Sequence, residues 1–490
     1  MSLRRTVGPA FTLLGLSALL TACMPLPGGG VQARLMDLSG ESRTLSADPA
    51  AERIVKRWPR EKWWVDFHNA ELNRVIEAAL AGSPTLKVAV ARLSQAEAAA
   101  DYRAADLLPS VGARADLHRR RFSSTDFYGP AGGHTYTGAY LDPAVFNYHL
   151  DLWGKDKANL EAALGQEKAE ASELAAARLL LSTAVARAYF LLGSTEEAIA
   201  WAHARVEKSA EKLRLARLRW ERGLEAQDPV HEDEQKLQDA HQRESHLHAE
   251  AQTLRNRLAA LAGRGPDWGR EIRISAGAYA ERFPLPERLP LGLLAHRPDV
   301  AAALWRAEAA ARLVKVAETN FYPDVDLVGF AGLRSLNLKD LFLSHGASVA
   351  YSIGPTVTLP IFEGGRLEAE LKHAQAAHAG AVEGYNAALL AAVQQVADAL
   401  AHWRETLDHD ATQERALAAA EAEAELAERR FQAGLSTRDG EIDAATRLIE
   451  QRLKASELRS EHLQAAVGLI AALGGGYENP QTQPASGTQP

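Results

Sequence analysis

The side chain best placed to do chemistry is the chain's one cysteine, Cys23. It follows Leu20-Thr21-Ala22 and an apolar run from roughly Val7 to Leu20, which Arg4 and Arg5 lead. A basic start, an apolar middle and small residues before a cut site are the parts of a secretory leader. A thiol directly after the cut takes a diacylglyceryl group on its sulfur, and the new N-terminus is then open to acylation. The spacing predicts a lipoprotein leader over residues 1–22 and a covalent lipid on Cys23. An uncleaved helix of this length would be marginal for a membrane span.

Other reactive groups lack the context that chemistry needs. His241, Glu244 and His248 can share a helix face, but the spacing is not the His-Glu-x-x-His zinc pattern and the stretch is rich in solvated charge. The serines have no nucleophile elbow around them. Gly28-Gly29-Gly30 reads as a spacer after the anchor, and Gly364-Gly365 as a turn into a helix rather than a phosphate cradle. A single cysteine leaves no intramolecular disulfide, thiolate metal site or catalytic thiol to expect. The net charge is −8 with 24% charged residues and no long basic tract, so no nucleic-acid partner is expected. The reading is of a protein that is not an enzyme, with no metal and no cofactor beyond the lipid. After the leader, no run of eighteen apolar residues is read, so no later helix is expected to cross a membrane.

The chain repeats itself. Ser83-Pro84-Thr85-Leu86 matches Arg297-Pro298-Asp299-Val300, and Leu108-Pro109-Ser110-Val111 matches Tyr322-Pro323-Asp324-Val325, both at an offset of 214 residues. Arg219-Trp220-Glu221-Arg222-Gly223-Leu224 parallels Arg430-Phe431-Gln432-Ala433-Gly434-Leu435. Leu258 to Gly263 parallels Ile470 to Gly474. Anchors in one order at nearly one offset mark an internal duplication. Long helices are predicted roughly over Asn159–Trp220 and Arg366–Phe431. Leu247, Ala251, Leu254, Leu258 and Leu261 are spaced 4, 3, 4, 3, and Leu389, Val393, Val396, Leu400, Trp403 and Leu407 follow the same rhythm. That is a coiled-coil seam, and helices of this length suit a rod or tube. Trp58, Trp63 and Trp64 are expected to fix the N-terminal segment against the helices.

Between the helices the period changes to two. Phe146, Tyr148, Leu150 and Leu152 alternate with Asn147, His149 and Asp151. Val349, Tyr351, Ile353, Val357 and Leu359 alternate with polar or small residues. Val111 to Leu117 and Asp324 to Ala331 give two further strands. Strands of about ten residues with one apolar and one polar face suit a transmembrane barrel. Four strands cannot close one, and open sheet edges are not tolerated in hydrocarbon, so copies of the chain must share the barrel. Three copies would give twelve strands, although spacing alone does not fix that number.

Trp63-Trp64-Val65-Asp66-Phe67, Ser83-Pro84-Thr85-Leu86, Leu150-Asp151-Leu152-Trp153-Gly154-Lys155, Arg297-Pro298-Asp299-Val300 and Gly354-Pro355 through Gly364-Gly365-Arg366 stand in an order and spacing that resembles the TolC-like outer-membrane factor family. Within it the chain is similar to the lipoprotein branch of RND-type multidrug efflux channels. The resemblance implies a mixed α/β membrane fold: a shared twelve-stranded transmembrane β-barrel with a long α-helical coiled-coil periplasmic tunnel and two structural repeats per chain. It implies a homotrimer in the outer membrane, held to outer-membrane lipid through Cys23, docked on a periplasmic adaptor (membrane fusion) protein and an inner-membrane RND-type pump. Met24 is not the aspartate that retains such lipoproteins in the inner membrane. The chain would be a passive efflux duct. A lipidated periplasmic scaffold, or the duct of a metal-ion efflux or protein-secretion system, is the alternative.

The resemblance also assigns roles to residues. The segment from Gly434 to Ala444 would lie at the periplasmic gate, with Asp439 or Asp443 as the acidic gate residues and Arg438 as a local partner. The family carries an apolar residue where Asp439 stands and an acid where Gly440 stands, so gate geometry is expected to differ here. Gly223 and Gly434 would be hairpin turns touched by the adaptor. Gly154, Gly364 and Gly365 would be the barrel-to-helix turns. The expected organisation is a leader (1–22), a lipid-anchored strap (23–62) and first-half helices (63–108). A strand pair (109–152) then precedes long helices with an equatorial segment (153–296). A second-half helix (297–322), a second strand pair (323–360), long helices (361–475) and a disordered tail (476–490) complete it.

Overall fold

The computed structural model describes residues 33–36, 60–125, 129–274, 297–342 and 346–477. Cys23, Trp58, the leader, most of the strap, the segment 275–296 and the tail from 478 lie outside the described residues. In chain order, a 3-10 turn at Trp63–Phe67 precedes α1 (Ala70–Gly82), α2 (Pro84–Ala105), β1 (Ser110–Arg121) and β2 (Thr135–His149). Next come α3 (Lys155–Glu221), α4 (Asp228–Leu261) and the short α5 (Pro266–Arg270). The second half holds α6 (Pro298–Thr319), β3 (Asp324–Ser335), β4 (Val349–Thr358), α7 (Arg366–Gln432) and α8 (Arg438–Ala472). The duplication is visible in the elements: helix, two strands, a 67-residue helix and a shorter return helix, twice.

The chain forms two compact units. One holds the four strands and the helical turns that flank them (95–167 and 305–383). Its sheet is antiparallel in the order β1-β2-β3-β4, so β1 and β4 are its edges. The register gives each face a distinct chemistry. On one face lie Val111, Ala115 and Leu117, then Ala139, Leu141, Phe146 and Tyr148, then Leu327, Ala331 and Leu333, then Val349, Tyr351, Ile353 and Val357. On the other lie Arg114, Asp116, His118, Tyr140, Asp142, Asn147, His149, Asp326, Arg334, Ser348, Ser352 and Thr356. Tyr351 is 80% exposed and Ile353 72% exposed, so the apolar face is bare along the edge strands in the single chain, while Ala139 at its centre is buried. Both registers of β2 slip by one residue beside Asp142 and Pro143. Proline cannot donate to a ladder, and a bulge absorbs it.

The second unit is helical and holds the core. Trp63, Phe67, Leu72, Ile76, Tyr189, Phe190, Leu192, Leu258, Val396, Trp403, Leu469 and Ile470 are buried in one cluster. Each fully buried aliphatic or aromatic side chain contributes about 1.5–3 kcal/mol. Asn69 joins local structure to packing. Its Oδ1 accepts from Leu72 N at 2.9 Å, capping α1, and from the Tyr189 hydroxyl of α3 at 3.2 Å. The Arg297-Pro298-Asp299 motif works at the other end of a helix. Buried Arg297 donates to the carbonyl of Ala472 at 2.7 Å and to Gln395 at 2.8 Å, while Asp299 sits 2.7 Å away. A cation on the last carbonyls of α8 offsets its dipole.

Three readings need correction. The second strand ends at His149 rather than Leu152, because the Asp151 carboxylate accepts from Lys157 N at 2.9 Å and starts α3. Helix α3 does contain one stretch long and apolar enough by length and composition to cross a membrane. Its Val185, Ala188, Tyr189, Phe190 and Leu192 are in the core, and 39% of the stretch is buried, so packing accounts for part of that apolarity. The α7 seam is buried through Leu389, Val396, Leu400 and Trp403, but Leu407 is 46% exposed.

Candidate functional site

Three places combine the residues that the sequence marks out. The first is the passage between strands and long helices. Gly154 has φ +76°, and Gly364 and Gly365 have φ +62° and +87°, conformations that a side chain disfavours. Around Gly154 the Trp153 indole donates to the carbonyl of Pro323 at 2.8 Å and stacks on Tyr322 at 5.1 Å. His149 is 2.9 Å from Asp326 across the β2–β3 ladder, and Lys155 lies 3.5 Å from Asp324. His149, Asp151 and Asp156 bring one potential metal-ligand atom each within 4.8 Å of one another. Sequence reading had placed no metal there. Asp151 already caps α3 and His149 already faces Asp326.

The second place is the pair of helix tips. Leu224 N donates to Arg219 O and Gly223 N to Trp220 O; Leu435 N donates to Arg430 O and Gly434 N to Phe431 O. The two turns are superimposable in their bonding, with both glycines at φ +71°. This is a left-handed glycine cap with its six-to-one bond. Leu224 and Leu435, directly after the glycines, are 75% and 79% exposed. Nothing within 4 Å would meet a Cβ on either glycine, so backbone conformation alone demands them.

The third place is the start of α8, where the candidate gate acids lie. Thr437 caps the helix, accepting from Gly440 N at 3.4 Å. Asp439 and Asp443 both find cations on α3: Asp439 is 2.5 Å from Arg219, and Asp443 accepts from Lys212 at 2.5 Å. Arg438 does not serve either aspartate. It donates to Glu211 of α3 at 2.7 Å, pairs with Glu441, and lies 5.2 Å over the Phe431 ring. Lys208 adds contacts of 3.7 Å to Glu211 and Glu441. Hydrogen bonding to Glu211 first, and nearby acids after it, raise the Arg438 guanidinium above its ordinary value, so it stays charged. Sequence reading missed Lys208, Glu211 and Lys212, and it gave Arg219 and Glu441, which lie in the quoted repeat motif and gate segment, no ion-pair role. The only signal was the matching position of the Arg219 and Arg430 motifs in the two repeats.

The polar face of the sheet carries further ion pairs, His118 with Asp116 at 2.8 Å and Arg334 with Asp142. Arg334 forks onto Asp142 with bonds of 3.1 and 2.8 Å and covers the Phe330 ring at 3.4 Å. A Cβ on Gly332 would meet Asp142 Oδ1 and the Leu141 carbonyl at 2.4 Å, so glycine is needed for this approach.

Comparison with known proteins places this geometry. The family model described as outer membrane efflux protein matches residues 75–264 and 289–475, one segment in each repeat. The chain is 29% identical to the multidrug resistance outer membrane protein MdtQ of Escherichia coli O6:H1, over 96% of this chain and 98% of that protein. It is 35% identical to the fusaric acid resistance protein FusA of Burkholderia cepacia, over 75% of this chain and 69% of that protein. Among solved structures, the outer membrane protein VceC of Vibrio cholerae aligns with a TM-score of 0.77 and 33% identity, covering 86% of this chain and all of that one.

Proposed function

The chain belongs to the outer membrane efflux protein family, and we propose that three copies share one twelve-stranded barrel as the exit duct of a tripartite pump for small organic molecules. It is the outer-membrane channel component of an efflux system, a passive conduit rather than an enzyme. The observation that carries the assembly is the four-stranded sheet with a bare apolar face and two unpaired edges. In hydrocarbon each unpaired backbone group costs several kcal/mol, and closure against other copies removes that cost. The apolar face then meets lipid, and the face with Arg114, Asp116, His118, Asp142 and Arg334 lines a wet lumen. The lipid on Cys23 anchors the chain's start to the same membrane.

Gating rests with the α8 start. Asp439–Arg219, Asp443–Lys212 and Arg438–Glu211 clamp α8 to α3 in one chain, and opening the duct separates them. The exposed Leu224 and Leu435 beside the glycine turns suit an adaptor's helical tip, which supplies apolar cover without a small-molecule pocket. The names of the relatives, multidrug and fusaric acid resistance, support small organic molecules as cargo. Energy and substrate choice then belong to the adaptor-linked RND-type inner-membrane pump. Single-channel recording of the purified protein in planar bilayers tests this reading. Stable trimers with a low, mostly closed conductance support it. Stable oligomers that never conduct contradict it and favour a scaffold.

A further inference from the structure

Two charged residues stand on the apolar face among the described strand residues, and both are arginines at one end of β1. The register puts Arg119 opposite Thr137 and Arg121 opposite Thr135, on the face that carries Val111, Ala115 and Leu117. Both arginines are exposed, and neither has a hydrogen-bond or ion-pair partner among the described residues. No carboxylate lies on this face of any of the four strands. On the polar face Arg334 pairs with Asp142, His118 with Asp116 and His149 with Asp326, while Arg114 and Arg120 have no ion pair among the described residues; what sets Arg119 and Arg121 apart is the apolar face they stand on.

Their height is informative. The helices join the sheet at Ser110 and His149, so Arg121 and Thr135 are at the opposite, hairpin end. In a barrel with a periplasmic helical region, that end is the outer rim. Eight residue steps of about 3.3 Å carry β1 about 26 Å from Val111 to Arg119. A tilt near 40° leaves about 20 Å along the membrane normal, close to the apolar band of about 25 Å. Arg119 and Arg121 thus emerge where hydrocarbon gives way to the headgroups of the outer leaflet. Same-face residues two apart are about 7 Å from each other, and a guanidinium fork matches phosphate oxygens with paired bonds. The Thr135 and Thr137 hydroxyls add donors beside them.

We propose that Arg119 and Arg121, with Thr135 and Thr137, bind the phosphates of the phosphorylated glycolipid in the outer leaflet, so each subunit holds a lipid A headgroup against its barrel wall. This rests on the sheet spanning the outer membrane. A second copy of the chain is not the occupant. Strand pairing along β1 uses backbone groups in the sheet plane and leaves this face outward, and β4 presents no acid on it.

The test is native mass spectrometry of the full-length detergent-purified protein titrated with bisphosphorylated lipid A, dephosphorylated lipid A and phosphatidylglycerol. Wild type should bind the bisphosphorylated form at least tenfold more tightly than either other lipid, a comparison that needs no variant to fold. Arg119→Gln with Arg121→Gln should lose at least tenfold. Arg120→Gln, on the same strand but the opposite face, should stay within twofold of wild type. Double-variant trimers that conduct normally and keep wild-type lipid A affinity overturn the proposal while leaving the duct intact. Equal loss in Arg120→Gln, or equal binding of phosphatidylglycerol by wild type, overturns it as well. Absence of any conducting oligomer instead refutes the barrel on which it rests.

Discussion

Replacing Asp439 and Asp443 with alanine should unlock the duct, and the structure sets how far. Asp439 lies 2.5 Å from Arg219, with side chains 27% and 32% exposed; Asp443 lies 2.5 Å from Lys212, with 45% and 26%. At this exposure solvent screens each pair, so about 0.5 kcal/mol apiece is the fair figure. Across three copies, losing one pair costs the closed state about 1.5 kcal/mol, and losing both about 3 kcal/mol. The open-to-closed ratio should rise about tenfold in Asp439→Ala and about 150-fold in the double variant, since a shift of about 1.4 kcal/mol is tenfold. Single-channel open probability in about 0.1 M salt reads this directly. In about 1 M salt the difference should shrink, because screening shortens to about 3 Å. Arg219→Ala combined with Asp439→Ala should add little to either alone, since both remove one interaction. Open probability unchanged in every variant at low salt, with trimers intact, would refute the clamp. Additive effects of Arg219→Ala and Asp439→Ala would refute the pairing.

Further expectations test the other parts. Leu224→Asp with Leu435→Asp should weaken adaptor binding at least tenfold in a pull-down or interferometry assay while leaving conductance unchanged, because both side chains are exposed. Cys23→Ser should abolish incorporation of labelled palmitate and release the chain from lipid anchoring, read by metabolic labelling and membrane fractionation. His462 is buried, stacks on Trp403 at 4.1 Å and meets the Thr406 hydroxyl at 3.0 Å, and burial lowers it below its ordinary 6.5. A base depressed on folding stabilises the fold fully above about pH 6.5 and loses that contribution as pH falls through the lowered value. Asp410, 3.7 Å away and raised by its own burial, acts in the opposite sense. Thermal unfolding at pH 7.5 and pH 5 should therefore show an acid-dependent loss that His462→Gln flattens; an identical pH profile in that variant would sink the assignment.

Period and repeat were legible because they are local. Alternation in Val349 to Leu359 shows one apolar face without knowledge of any partner strand, and the Gly223 and Gly434 turns follow from glycine after a helix in both halves. The offset of the repeats was legible for the same reason: each anchor needs only its own neighbours. What stayed hidden depends on residues far apart. Arg219 meets Asp439 across 220 positions and Glu211 meets Arg438 across 227, so Arg438 looked like a partner for its sequence neighbours. The end of β2 was misread because Leu150 and Leu152 continue the alternation, whereas Asp151 has already turned its carboxylate to the α3 backbone. Arg119 and Arg121 continue the alternation of Val111, Ala115 and Leu117, but only the register shows Thr135 and Thr137 opposite them and no carboxylate on that face of the other strands.

The central claim is a barrel shared between copies, and electron cryomicroscopy of the full-length protein in lipid nanodiscs tests it most directly. The predicted image is three chains around one axis, with β1 of each paired to β4 of the next in a continuous twelve-stranded wall. A particle whose four-stranded sheets remain separate, with β1 and β4 unpaired, would contradict it.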